Sequence, residues 1–162
     1  MGVKSYYFEN NEIKPMDDIL TEGTALARPD DTHVDLLKDV KVLVIDDNFI
    51  NLTVAKKTLA KFGAETITAL NGAEGIEAFK ANDVQLILMD LHMPFMDGFE
   101  TTLKLKTLPE FEERPTFIMA YTTYAYDDVK DQIEKNGLDG YIGKPFTQYQ
   151  VLERIIEVIK PE

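Results

Sequence analysis

Four places along this chain set ionisable or hydroxyl groups directly after a short apolar run. Asp46-Asp47-Asn48 follow residues 42–45, and Asp90-Leu91-His92-Met93-Pro94 follow residues 86–89. Thr122-Thr123 follow residues 117–121, and Gly143-Lys144-Pro145 follow residues 140–142. A fifth run, residues 66–69, is followed only by Leu70-Asn71-Gly72. Each group has an ordinary use on its own: Asp47, Asn48 or Thr122 as a helix N-cap, Asp90 as a loop cap, Lys144 as a solvated cation. Together they say more. Three carboxylates at one place repel and raise one another's pKa unless a cation intervenes. A carboxylate set without thiolates favours a hard cation, Mg²⁺ over Zn²⁺. A lysine and a hydroxyl beside it suit an added anion such as a phosphoryl group. A carboxylate can itself be the covalent nucleophile in phosphoryl transfer. The chemistry these residues point to is a Mg²⁺-dependent aspartyl-phosphate site.

That reading requires the four places to meet, and the pattern between them says how. The five runs are short and β-rich; residues 42–45, 86–89 and 117–121 are nearly continuous apolar, as strands buried on both faces of a parallel sheet are. Between them lie helix-length amphipathic segments. Leu52, Ala55, Leu59 and Phe62 share one helical face, and Gly63 stops it. Ile76 with Phe79, Phe99 with Leu103, and Val129 with Ile133 mark the next three helices. Val151, Leu152, Ile155, Ile156 and Ile159 stripe the last. Five βα units imply an open, doubly wound α/β fold, a parallel sheet with helices on both faces. In such sheets ligands bind beyond the carboxyl ends of the strands, so all four groups are delivered to the same rim.

Residues 1–39 show no sustained period. Ser5-Tyr6-Tyr7-Phe8-Glu9 suits a short strand. Residues 15–39 are polar and acidic, broken by Gly23 and Pro29, and read as a linker or extension on which Leu36 and Leu37 could dock. The expected division is therefore 1–39 as extension or interdomain linker and 40–162 as the folded domain.

Composition narrows the function. The chain has 162 residues, no cysteine and two histidines, so disulfides, thiolate metal sites and cysteine nucleophiles are excluded. A formal net charge of −12 argues against a nucleic-acid surface. No apolar run approaches the roughly 18 residues a bilayer span needs, and no signal segment opens the chain. The expected setting is cytoplasmic.

Residues 40–160 closely resemble the receiver domain of two-component response regulators. The resemblance rests on Val42-Leu43-Val44-Ile45-Asp46-Asp47-Asn48, on 88–100 with its Met-Asp-x-x-Met-Pro-x-Met-Asp-Gly stretch, on Ala120-Tyr121-Thr122, and on Gly140-Tyr141-Ile142-Gly143-Lys144-Pro145-Phe146. It implies a flavodoxin-like five-stranded sheet of order 2-1-3-4-5 with five helices. It implies that Asp90 is the phosphoacceptor for a phosphohistidine on a histidine kinase or phosphotransfer domain. Asp47 would ligate Mg²⁺ directly, with Asp90 and the His92 backbone carbonyl, and Asp46 would act through water. Lys144 would contact Asp90 and then a phosphoryl oxygen, and Thr122 would turn its hydroxyl onto another. Tyr141 would be the switch aromatic, turning inward as Thr122 moves. The surface that responds would be the fourth helix, fifth strand and fifth helix, also the place for a homodimer. Pro145 would follow a cis peptide bond. The residue after Thr122 is usually very small in the family; here Thr123 and then the bulky Tyr124 are expected to narrow access and slow loss of phosphate.

Asp46-Asp47-Asn48-Phe49-Ile50-Asn51 further resembles the opening of receivers fused behind hybrid histidine kinases, and Ser5-Tyr6-Tyr7-Phe8 faintly resembles the last strand of a kinase ATP-binding domain. With the chain ending after the last helix, a receiver cut from a hybrid sensor kinase and a free-standing regulator are both expected contexts. As an enzyme, such a domain would act only on its own aspartate. Two other classes stay open. An Asp-nucleophile phosphatase of the haloacid-dehalogenase type wants Asp-x-Asp on the first strand, whereas Asp46 and Asp47 are adjacent. A receiver-like interaction domain that takes no phosphate would not need all five of Asp46, Asp47, Asp90, Thr122 and Lys144.

Overall fold

A computed structural model describes residues 6–9, 12–15 and 36–159. Strand β1 (Tyr6–Glu9) lies where the aromatic run 5–9 predicts one. It pairs antiparallel with β2 (Glu12–Pro15), a strand without a counterpart in the sequence reading. Residues 16–35, most of the expected linker, lie outside the described residues.

The body is a five-stranded parallel sheet of β3 (Lys41–Ile45), β4 (Glu65–Ala69), β5 (Leu86–Met89), β6 (Phe117–Thr122) and β7 (Gly140–Gly143), in the order β4-β3-β5-β6-β7. Among these five strands that is the order 2-1-3-4-5. It puts the ends of β3, β5, β6 and β7 side by side and leaves β4, the one strand without a functional tail, at the far edge. The helices are α1 (Phe49–Ala60), α2 (Gly72–Ala81), α3 (Gly98–Lys106), α4 (Pro109–Glu113), α5 (Tyr126–Asn136) and α6 (Gln148–Ile159). None of the described helices is long and apolar enough to cross a membrane.

The continuous apolar runs are explained by two cores. Alternate strand residues point to opposite faces. Val42, Val44, Leu86, Leu88, Met119 and Tyr121 face one way, against Leu52, Ala55 and Leu59 of α1 and Val151, Leu152, Ile155 and Ile156 of α6. Leu43, Ile45, Ile87, Met89, Ile118 and Ala120 face the other, against Phe79 of α2, Leu105 of α3 and Val129 and Ile133 of α5. The body begins before residue 40: Leu37 is fully buried in the first core and its N–H donates to the Phe62 carbonyl at 2.8 Å.

Two expectations about the helices need correction. The described residues hold six, not five. The additional α4 is barely more than one turn, starts on Pro109, and offers one apolar residue to the core, Phe111, which packs on Phe79 at 5.8 Å between ring centroids. No periodicity can be read from five residues. Leu103 does not mark the inner face of α3. It is half exposed, and α3 instead buries Thr101, Thr102 and Leu105. The two threonines are satisfied inside the helix, their hydroxyls donating to the Asp97 and Gly98 carbonyls at 2.7 and 2.8 Å. A polar pair can therefore hold an inner face that hydropathy assigns outward.

Gly98 opens α3 because nothing larger fits. A Cβ there would lie 2.2 Å from the backbone oxygen of Asp90 and 2.9 Å from the Leu91 Cα. The helix start is thus pressed onto the backbone that carries Asp90. Asp97, its N-cap, accepts the Glu100 N–H at 2.8 Å.

Candidate functional site

Each strand end brings its residues to the rim by the local rules of a strand-to-helix turn. After β3, Asn48 caps α1, its side-chain oxygen accepting the Ile50 N–H at 2.8 Å and the Asn51 N–H at 3.4 Å. With Asn48 taking the cap, Asp46 and Asp47 are free for other work. After β7 the chain passes a cis Lys144–Pro145 peptide bond, as expected of Pro145.

Carboxylate oxygens of Asp46, Asp47 and Asp90 lie within 4.8 Å of one another. Asp46 is fully buried and Asp90 nearly so, while Asp47 is exposed. Asp46 is the most heavily held. It accepts the Asn48 N–H at 2.8 Å, and the Asn51 side-chain amide at 3.2 and 3.1 Å on its two oxygens. It also accepts the Lys144 ammonium. Such a set of donors offsets the cost of burying a carboxylate. Lys144 lies 3.8 Å from Asp90 Oδ1. Its first partner in this structure is therefore Asp46, where the resemblance put Asp90 first. Its ammonium also sits 4.3 Å from the centre of the Tyr121 ring.

Asp90 accepts the His92 N–H at 3.3 Å. Burial pushes its pKa up to about 6 from 3.8, and Asp46 and Asp47 add to the rise, against the lowering by Lys144 and the His92 N–H. The folded state therefore favours the protonated acid. The stability this contributes is present below pH 3.8 and is lost as pH rises through about 6. In EDTA, the stability of Asp90→Asn relative to wild type should grow by about 1–2 kcal/mol between pH 4 and 7, allowing for partial solvent screening. Urea melts of both proteins across that range measure it. A constant difference would mean that Asp90 titrates normally.

The other predicted residues stand around this cluster. Thr122 is fully buried at the end of β6, and its hydroxyl accepts the Tyr124 N–H at 3.3 Å. Thr123 is exposed. Tyr124 reaches over the rim, and its hydroxyl shares a 3.1 Å hydrogen bond with His92 Nδ1. Tyr141 is half exposed; its hydroxyl donates to the Tyr124 carbonyl at 2.5 Å and its ring packs on Tyr126 at 5.3 Å. Sequence reasoning assigned no site role to Asn51 or Tyr121. For Asn51 the signal was present, a polar residue one turn into a helix whose N-cap is beside the cluster. For Tyr121 there was none, since an aromatic in a core strand looks like packing.

The acidic pocket, its lysine and the strand order agree with what this chain is similar to. It is 28% identical over 145 residues to sensor histidine kinase GacS of Pseudomonas protegens, a match that takes in 89% of this chain but 16% of that protein. It is 32% identical over 119 residues to the polar-differentiation response regulator DivK of Brucella anthropi, covering 74% of this chain and 92% of DivK. The chemotaxis protein CheY4 of Vibrio cholerae superposes with a TM-score of 0.69 at 28% identity, over 74% of this chain and 98% of that one. The chain thus spans nearly the whole of the small regulators and only a small part of the kinase. A family model for the response regulator receiver domain matches residues 42–156. With the fold, the rim and the relatives in agreement, the chain belongs to the response regulator receiver domain family.

Proposed function

We propose that Asp90 takes a phosphoryl group from a phosphohistidine on a histidine kinase or phosphotransfer domain, with Mg²⁺ at the acidic cluster. A carboxylate oxygen of Asp90 attacks phosphorus, the phosphorus–nitrogen bond breaks, and the imidazole leaves with that electron pair. The observation that carries the reading is the meeting of Asp46, Asp47 and Asp90 within 4.8 Å beside one lysine. Three carboxylate oxygens so close form a hard, anionic donor set that fits a small divalent cation. Asp47, Asp90 and the His92 backbone carbonyl would hold it, with Asp46 acting through water. Bound there, the cation supplies charge neutralisation for the phosphoryl oxygens. Lys144 holds one phosphoryl oxygen and Thr122 another.

Thr122 leaving the Tyr124 N–H for the phosphoryl group frees the space into which Tyr141 turns. The surface that responds is α5, β7 and α6, around Tyr126, Lys130 and Tyr141, read by partners that include a second copy of the chain. The ligand biases two existing states and makes no new fold. The Tyr124–His92 hydrogen bond supports a narrowed approach beside Thr123 and hence a long-lived phosphorylated state.

For context, we favour a receiver of a hybrid sensor kinase in the cytoplasm, with the expected division at 1–39 and 40–162 moved back so that Leu36 and Leu37 belong to the domain and the residues before them to an interdomain linker. The GacS match supports this, because 89% of the chain is more than residues 40–162 make up.

The test is incubation with Mg²⁺ and acetyl phosphate, followed by beryllofluoride titration monitored by NMR. Wild type should label once per chain, Asp90→Asn not at all, and beryllofluoride should shift resonances at 90–98, Tyr126, Lys130 and Tyr141. Turnover of many equivalents of a phosphate ester would indicate a phosphatase, and absence of labelling an interaction domain.

A further inference from the structure

We propose that Tyr121 is a positioning residue for phosphoryl acceptance, its ring face being the seat on which Lys144 holds its charge between Asp46 and Asp90. The proposal rests on the reading of Asp90 as phosphoacceptor. Tyr121 lies in β6 directly before Thr122 and is 1% exposed. Its side chain points to the α1–α6 side of the sheet, where it packs on Phe146 at 5.4 Å between ring centroids. The Lys144 ammonium stands 4.3 Å from the Tyr121 ring centre. That contact is within the range at which a ring's negative face attracts a cation, and the attraction is larger where water is excluded. Lys144 is 9% exposed, so water is largely excluded here.

Packing alone does not account for this contact. Phe146 and the cross-strand partner Ile142 already supply apolar neighbours, and a leucine or methionine at 121 would fill the same core with no preference for a charge nearby. The ammonium has three N–H groups. Asp46 takes one, Asp90 lies at 3.8 Å from the head, and the ring is the third neighbour. Lysine reaches this point through a four-carbon stem with many rotamers. Without the ring the head has two neighbours, both carboxylates and both on the acidic side. The fully buried Asp46 would then hold it most strongly.

The ring matters again when the phosphoryl group arrives. Lys144 must then turn from Asp46 toward a phosphoryl oxygen. An ion pair or hydrogen bond is lost by that turn, whereas attraction to a ring face tolerates small displacements of the charge. Burial and the nearby Asp46 and Asp90 charges push the Tyr121 phenol far above its usual pKa, so the ring stays neutral throughout.

The experiment uses the 162-residue chain, Tyr121→Phe, Tyr121→Leu, Lys144→Ala and the double variant Tyr121→Leu/Lys144→Ala. Beryllofluoride with saturating Mg²⁺ is the probe, and the Lys144 ε-methylene resonance is the second readout. Tyr121→Phe keeps the ring face and should match wild type within about twofold. Tyr121→Leu should weaken beryllofluoride binding about three- to tenfold. In wild type and Tyr121→Phe the Lys144 ε-methylene should be shifted upfield by the ring current; in Tyr121→Leu that shift should vanish. On the Lys144→Ala background, Tyr121→Leu should cost nothing further. Equal losses with and without Lys144, or an ε-methylene unshifted in the wild type, would overturn the proposal. If Tyr121→Leu does not fold, the wild-type and Tyr121→Phe spectra still decide. A wild type that binds no beryllofluoride sinks the phosphoacceptor reading, while the unliganded ε-methylene shift still reports on the seat.

Discussion

Asp47→Ala should melt at the same temperature with and without millimolar Mg²⁺, while the wild-type chain should melt roughly 5–10 °C higher at a hundredfold excess of metal over Kd. The wild-type figure follows from mass action, since a ligand that binds only the folded state at that excess adds about 2.7 kcal/mol. The choice of Asp47 follows from burial. Asp46 is fully buried and already satisfied by Asn48, Asn51 and Lys144. Asp90 is nearly buried, and Asp47 alone of the three is exposed. A cation approaching from solvent therefore meets Asp47 first and depends on it most. In EDTA the sign reverses. Removing Asp47 removes one of three mutually repelling charges, so the variant should melt at or slightly above wild type. Calorimetry of both proteins in EDTA and in Mg²⁺ gives the four melting temperatures. Coincident wild-type melts would remove the metal site, and an undiminished shift in Asp47→Ala would move it elsewhere.

The rim could be assembled from the sequence because a parallel α/β sheet is a strongly constrained object. Once residues 42–45, 86–89, 117–121 and 140–142 are taken as strands of one doubly wound sheet, the residues after them have one place to go. Asp46, Asp47, Asp90 and Lys144 meet in the structure for that reason. What the sequence left out has different physics. Helix α4 has too few residues to carry a period. The inner face of α3 is built from threonines whose hydroxyls are satisfied within the helix, a solution invisible to hydropathy. The roles of Asn51 and Tyr121 depend on distances of a few ångströms between side chains of different elements. A pattern that gives only which face a residue occupies cannot order Asp46 before Asp90 as the partner of Lys144.

That order decides what removal of the lysine does. Lys144→Ala should fold but lose about 3 kcal/mol in EDTA, because breaking a buried ion pair from one side leaves the other charge uncompensated. Asp46 keeps the amide donors of Asn48 and Asn51, which holds the loss at the lower end of the usual range. For a chain of this size the melting temperature should fall roughly 6–12 °C. Mg²⁺ should return much of that stability, since a divalent cation at the cluster supplies the positive charge the variant lacks. It should not return the response. A metal at the carboxylates does not replace a cation that holds a phosphoryl oxygen from the β7 side. Beryllofluoride resonance changes at Tyr126, Lys130 and Tyr141 should therefore stay small in Lys144→Ala at saturating Mg²⁺, although its melting temperature approaches that of wild type. Melts in EDTA and Mg²⁺, paired with the NMR titration, separate the two roles. A variant as stable as wild type in EDTA would mean that Asp46 is not paired in solution as it is here. A full resonance response would show that the link from the acidic pocket to the α5–β7–α6 surface does not pass through Lys144.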